Sequence, residues 1–257
     1  MSTAMPAQIS LADVDVSFGS KTVLSGLNFE VFKGEVISIV GASGCGKTTS
    51  LRLLAGLLAP SGGSVSFEGK PVRGPRRETA IVFQDYGKAL LPWRTAEGNV
   101  SLALEVMGVP GPERRSRISE LLALTGLAGH HDKYPAQMSG GMQQRLQIAR
   151  ALAQDPAVLL MDEPFGALDA MTRQSLQDEL LDLSARTGVT IYFVTHDLEE
   201  AIYLSDRIIG LLPNPGRIGR IFDVPLPRPR DQLITKEDRS FLALRHELYD
   251  FVKGSEH

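Results

Sequence analysis

Val36-Ile37-Ser38-Ile39-Val40-Gly41-Ala42-Ser43-Gly44-Cys45-Gly46-Lys47-Thr48-Thr49 is the stretch on which the fold turns. Val36–Val40 reads as a buried strand aimed at a glycine-rich turn, and Lys47 to Leu57 reads as a helix. Between them, Gly41 to Thr48 fits G-x-x-x-x-G-K-[ST] in the strand–turn–helix context that this pattern requires. Glycines let the backbone wrap a phosphate chain with successive N–H groups turned inward, and the helix that follows presents its positive end. A nucleotide phosphate site is therefore expected over Gly41, Ser43, Gly44, Cys45, Gly46, Lys47, Thr48 and Thr49. Lys47 would reach the β- and γ-phosphates and the Thr48 hydroxyl would ligate Mg²⁺. Cys45 reads as a small filler within the loop rather than a redox centre.

A second site is expected at Val158-Leu159-Leu160-Met161-Asp162-Glu163, where two acids stand at the carboxyl end of a continuous apolar strand. Parallel sheets present their ligands at that edge. Asp162 is placed to hold Mg²⁺ directly or through water, which leaves Glu163 to orient or deprotonate an attacking water.

Outward from these two stretches the chain alternates. Val14, Val16 and Phe18 suggest a half-buried strand, Gly63 to Gly69 a small antiparallel element, and Thr79 to Phe83 another short strand. From about 92 to 155 the apolar residues recur at helical spacing (Val100, Leu104, Met107; Leu121, Leu122, Leu124; Leu146, Ala149, Leu152), as in an inserted helical subdomain. Strand character returns at Ala157–Met161, Val189–Val194 and Arg207–Leu212, with a helix marked by Leu176, Leu180 and Leu183. This argues for an α/β core with a parallel sheet. Beyond it, Pro213, Pro215, Pro225, Pro227 and Pro229 punctuate a short β-like segment and a linker. A last helix carries Phe241, Leu244, Leu248 and Phe251 on one face, a stripe suited to covering the core.

Composition narrows the class. The 257 residues are 43% apolar and 22% charged with a net charge of −3, an ordinary globular balance with no general reason to expect nucleic acid as a partner. Arg73, Arg76 and Arg77 read as a solvated basic loop. A single cysteine excludes an internal disulfide and a cysteine-rich metal site. Met1 to Ser10 does not read as a leader, and no apolar run approaches the roughly 18–20 residues needed to cross a bilayer. Any membrane role is thus expected to come through a partner.

Met138-Ser139-Gly140-Gly141-Met142-Gln143-Gln144-Arg145 resembles the L-S-G-G-Q signature of ABC ATPases, with Met138 for Leu and Met142 for Gln. Read from the residues alone, Ser139-Gly140-Gly141 is a helix start with bare N–H groups for an anion. Further marks of the family follow in its order. Gln84 resembles the glutamine that senses Mg²⁺ and the attacking water, and Phe18 the aromatic that stacks on adenine. Gly166-Ala167-Leu168-Asp169 resembles the S-A-L-D loop that crosses between subunits, with Gly166 for Ser, and His196 the histidine that contacts the γ-phosphate. The resemblance implies an α/β fold of the P-loop NTPase (ABC ATPase) kind, with a parallel sheet, a small antiparallel β subdomain and the inserted helical subdomain. It places the ATPase domain at 8–212 and a C-terminal Pro-rich segment and helix, packing on that core, at 213–257.

The resemblance also implies a mechanism. Two subunits meet head to tail around two ATP molecules, so Ser139, Gly140, Gly141 and Asp169 act across the interface, while Glu163, His196, Gln84 and Lys47 serve hydrolysis and Thr48, Gln84 and Asp162 the Mg²⁺. Separate integral membrane permease subunits dock above the pair, at the cytoplasmic face of the inner membrane, with a solute-binding protein as an indirect partner. Leu90-Leu91-Pro92-Trp93, Phe165-Gly166-Ala167-Leu168-Asp169 and Pro225-Leu226-Pro227-Arg228-Pro229-Arg230 resemble the nitrate, sulfonate and taurine importer branch. Trp93 suits either a docking surface or ordinary packing. An exporter engine shares every motif. A non-transport ABC ATPase and a phosphate-loop kinase remain as alternatives, the last with no use for Ser139-Gly140-Gly141.

Overall fold

The computed structural model describes residues 7–255; the first six residues of the Met1–Ser10 stretch and the last two of the 213–257 segment lie outside them. Twelve-residue strands β1 (Ala7–Phe18) and β2 (Lys21–Phe32) form an antiparallel hairpin. β3 (Val36–Gly41) follows, buried at every position, and delivers the glycine turn to helix α1 (Lys47–Leu54). That helix ends before the expected Leu57 because Gly56 takes φ +71, with the carbonyl of Gly74 against it where a Cβ would stand. β4 (Gly62–Phe67) and β5 (Lys70–Pro71) then add to β1, giving a four-stranded antiparallel sheet in the order β2-β1-β4-β5.

β6 (Thr79–Val82) enters the second sheet. A helical layer intervenes: α2 (Tyr86–Ala89), α3 (Ala96–Val106), α4 (Gly111–Leu124) and α5 (Gly140–Leu152). α3 and α5 begin at hydroxyl caps, with Thr95 and Ser139 accepting from Gly98 N and Met142 N. This layer has its own core of Leu90, Val100, Leu104, Ile118, Leu122 and Leu146. β7 (Val158–Asp162), α6 (Ala170–Thr187), β8 (Thr190–Val194), α7 (Leu198–Leu204), β9 (Arg207–Leu212) and β10 (Arg217–Asp223) complete the sheet. Its order is β10-β9-β3-β8-β7-β6, parallel throughout except β10, which pairs antiparallel at the edge.

Both faces of this sheet are covered, so its strands are continuous apolar runs. Ile37, Ile39, Leu160, Tyr192, Val194 and Ile209 pack toward the first sheet and α1, while Val40, Leu159, Met161, Ile191, Phe193 and Ile208 pack toward the helices. The amphipathic last helix, α9 (Arg239–Gly254), follows the short α8 (Ile234–Glu237) and closes that side with Phe241, Leu244 and Leu248. The Phe251 ring fills a niche over Gly210 and Gly219, where added Cβ atoms would stand 2.5 and 2.8 Å from it.

One local expectation needs correcting, and one open alternative closes. Arg76 is not part of a solvated loop: its Nη2 donates to Leu54 O at 2.8 Å, its Nε to Thr79 Oγ1 at 2.9 Å, and its guanidinium lies 4.4 Å from the Phe67 ring centre. Two hydrogen bonds and a cation–π contact make it a strut between the two sheets. Trp93 is 72% exposed, so ordinary packing does not explain it.

Candidate nucleotide and hydrolysis site

Strand register assembles the site. β3, β8, β7 and β6 are neighbours and end at one level, with Ile39 opposite Val194, Asp162 opposite Val194, and Val82 opposite Met161. Thr195 N donates to Ile39 O at 3.2 Å and Glu163 N to Val194 O at 2.9 Å, which pins the strand ends to each other. The glycine loop, His196, the Asp162-Glu163 pair and Gln84 therefore emerge together at the carboxyl edge of a parallel sheet, where such folds bind ligands.

The loop is closely built. Gly41 has φ +151, and a Cβ there would meet Leu211 O at 2.5 Å and Cys45 Sγ at 2.9 Å. Gly46 caps α1 at φ +99 and rests on Leu24 of β2. Lys47 Nζ donates to the carbonyls of Gly41 (2.8 Å) and Ala42 (3.1 Å), holding its charge across the mouth of the loop. Behind it, Ser50 and Tyr192 share a buried hydrogen bond of 2.7 Å, and the Tyr192 ring stacks on Phe29. Cys45 is buried and its thiol is pushed up by that burial, so it stays protonated and inert. An open groove on the loop's outer side is lined by Ala42, Ser43, Asn214, Arg217, Gly254 and Ser255.

Thr48 Oγ1 donates to Asp162 Oδ1 at 3.2 Å. Burial raises the Asp162 carboxyl above its usual range, although the Thr48 hydrogen bond opposes the shift. Among the described residues no group of three or more His, Cys, Asp or Glu could cage a metal ion. A hydroxyl and one carboxylate are hard oxygen donors, and this sparse set fits Mg²⁺, which keeps waters and takes phosphate oxygens as its other ligands.

Glu163 sits at φ +45, a left-handed conformation that a non-glycine residue holds only where its surroundings dictate it. Its Oε2 accepts from Gln84 Nε2 at 2.9 Å and lies 3.3 Å from His196 Nδ1. Two residues expected from separate parts of the sequence thus converge on one oxygen of a third. Phe18 stands 53% exposed at the end of β1. Asp169 caps α6 by accepting from Thr172 N, which holds its carboxyl below the usual range. Among the described residues, no hydrogen bond joins Ser139, Gly140 or Gly141 to the loop, Asp162 or Glu163.

Behind Glu163 lies a small polar cavity lined by Gly166, Arg173, Thr195, His196, Asp197 and Glu200. Sequence reading passed over Arg173 and Glu200. Asp197-Leu198-Glu199-Glu200 looks like a helix capping box, and Asp197 does cap α7, accepting from Glu199 N and Glu200 N. The Glu200 side chain instead turns inward to accept from Gln177 Nε2 at 3.2 Å, and burial pushes its carboxyl up to about 7.

A doubly covered parallel sheet with this loop at its edge defines a phosphate-loop NTPase. Residues 24–166 match the family described as ABC transporter. The chain belongs to that family and is an ATPase of its kind. It is 47% identical over 230 residues to an uncharacterized ABC transporter ATP-binding protein of Methanocaldococcus jannaschii, covering 90% of this chain and 84% of that one. The bicarbonate transport ATP-binding protein CmpC of Synechocystis is 46% identical, and the nitrate import ATP-binding protein NrtC of Synechococcus elongatus 45%; each alignment covers 91% of this chain but 35% and 36% of those longer proteins. The nitrate relative falls in the branch that the sequence resembles; the bicarbonate one was not foreseen. Among solved structures, the ATP-binding cassette MJ0796, a dimer bound to ADP and Pi, aligns with TM-score 0.73 and 33% identity over 84% of this chain and 98% of that one. cbiO1 of Clostridium perfringens, part of the transporter complex cbiONQ, aligns with TM-score 0.80 and 25% identity over 98% and 100%.

Proposed function

We propose that this chain is the engine of an ABC importer, hydrolysing ATP as a head-to-tail homodimer to drive uptake of a small solute of the nitrate, sulfonate or taurine kind. The convergence of Gln84 and His196 on Glu163 Oε2, beside the Thr48–Asp162 pair, carries the hydrolytic part of this reading. The ATPase unit spans 8–212, with its helical subdomain at about 92–155, and the described part of 213–257 packs on it.

Phe18 stacks on adenine, and the loop from Gly41 to Thr49 wraps the phosphates with inward N–H groups while Lys47 exchanges its loop carbonyls for phosphate oxygens. Thr48, Asp162 and Gln84 would hold Mg²⁺, which when bound would neutralise negative charge on the phosphates. Glu163 accepts a proton from the attacking water, Gln84 orients that water, and His196 steadies Glu163 and contacts the γ-phosphate. Ser139, Gly140 and Gly141 make no hydrogen bond to their own protomer's loop among the described residues, and they serve the partner's ATP, with Asp169 and its loop crossing between subunits.

The import direction draws support from the name of the nitrate relative. No helix of the described residues is long and apolar enough to cross a membrane, so separate permease subunits supply the path. They would seat on the exposed Trp93 and on the groove of Leu102, Val106, Met107, Arg77 and Arg150, leaving this chain peripheral at the cytoplasmic face. A binding protein for the solute completes the system. The test is co-purification of the tagged chain from gently solubilised membranes of its own cell. A polytopic membrane protein in roughly equal amount is expected; only soluble partners, under conditions that preserve a control transporter, would overturn the transport role and leave the ATPase standing.

A further inference from the structure

His196 is followed directly by Asp197, the cap of α7, so whatever fixes that helix fixes the histidine. The side-chain anchors of α7 come mainly from α6 and from the extended strap that precedes α8. At its start, Arg173 Nη1 lies 3.6 Å from Asp197 Oδ2, and Nη2 of the same guanidinium donates to Leu168 O at 3.0 Å. In the middle, Gln177 Nε2 donates to Glu200 Oε1 at 3.2 Å. At its end, the Tyr203 hydroxyl donates to Asp178 Oδ1 at 2.6 Å, and Arg230 Nη1 donates to the carbonyls of Ile202 and Tyr203. Gln232 closes the circuit, its Nε2 reaching Gln174 O (3.2 Å), Gln177 Oε1 (3.2 Å) and Asp178 Oδ1 (2.9 Å).

Packing alone does not call for this chemistry. Glu200 is 5% exposed and Gln177 3%, positions where apolar side chains would avoid the cost of desolvating polar groups. Apolar contacts tolerate sliding, whereas a hydrogen-bonded chain is satisfied in one register only.

We propose that Glu200, Gln177 and Gln232 are positioning residues for ATP hydrolysis: through them the strap holds α6 and α7 in one register and so sets the distance from His196 to Glu163. This rests on reading Glu163 and His196 as members of the hydrolytic site.

The test is steady-state Mg²⁺-ATPase of the full chain. Gln232→Ala, on the partly exposed strap, and Gln177→Leu should each lower kcat about ten-fold while KM for ATP stays within about two-fold. The double variant should be little worse than either single one, as members of one chain are non-additive. Glu200→Gln should keep kcat within about two-fold, because its amide oxygen still accepts from Gln177, whereas Glu200→Leu should fall about ten-fold. Turnover near wild type in both Gln232→Ala and Gln177→Leu, while Glu163→Gln is inactive, would overturn the relay and leave the site intact. Losses confined to KM, or losses that simply add, would overturn it too. Normal turnover by Glu163→Gln would remove the reading on which it rests.

Discussion

Replacing Glu200 by Gln should stabilise the protein, and by an amount that depends on pH. Glu200 is almost wholly buried, and desolvation pushes its carboxyl from 4.5 up to about 7. Asp197 adds to the rise; the Thr195 hydroxyl, Gln177 and Arg173 oppose it. Between those two values the native state holds a proton that the unfolded chain has released, so stability falls as pH rises through this window and stays low above it. The full gap corresponds to about 3 kcal/mol at pH 8, about 2 kcal/mol at pH 6 and less than about 1 kcal/mol at pH 5. Glutamine does not titrate, it can still accept from Gln177, and its amide can donate to Thr195, whose hydroxyl rotates to accept. The variant should therefore melt about 6–12 °C above wild type at pH 8, with little difference at pH 5. Thermal and urea unfolding of both proteins, followed by circular dichroism at pH 5, 6 and 8, measures this. A difference that is flat across pH, or a variant less stable at pH 8, would refute the reasoning.

Glu163→Gln should bind Mg²⁺-ATP, turn over at least about 10²-fold more slowly and accumulate as a dimer on gel filtration; wild-type turnover would sink the assignment. Lys47→Ala should lose nucleotide affinity in a labelled-ATP binding assay, since among the described residues no other side chain donates across the loop mouth; unchanged affinity would contradict the phosphate role. Gly41→Ala should cost about 2–4 kcal/mol in a melt, because its Cβ would meet Leu211 O at 2.5 Å with no flexible group to yield. Trp93→Ala should melt within about 0.5 kcal/mol of wild type yet recover less membrane partner, as its side chain is mostly exposed.

The parts legible in the sequence are those with short-range chemistry. The phosphate loop, the acids after Met161 and the helix start at Ser139 were readable because turn, strand and helix start each leave a local signature. The continuous runs of β3, β7 and β8 announced a sheet covered on both faces. Less was visible where partners are remote in sequence. β2 went largely unread, since Gly26 breaks its pattern and its register with β1 shifts repeatedly. β10 runs antiparallel at the edge of an otherwise parallel sheet, an orientation set by its tight connection to β9. Arg76 resembled its exposed neighbours until the carbonyl of Leu54 and the ring of Phe67 gave it a socket. Glu200 carried a misleading signal, because the spacing from Asp197 suits a capping box and only the approach of α6 draws the carboxylate away.

The seating of Phe251 over Gly210 and Gly219 has a practical corollary for anyone handling this protein. The helix that carries it ends with Gly254, and Ser255 beside it lines the same groove as Ala42 and Ser43. A purification tag or fluorescent reporter grafted onto that end would be delivered to the rim of the phosphate loop, and a bulky one would pry at the ring that keeps the helix seated. A fusion at this helix that slows turnover would be reporting its own placement rather than the enzyme.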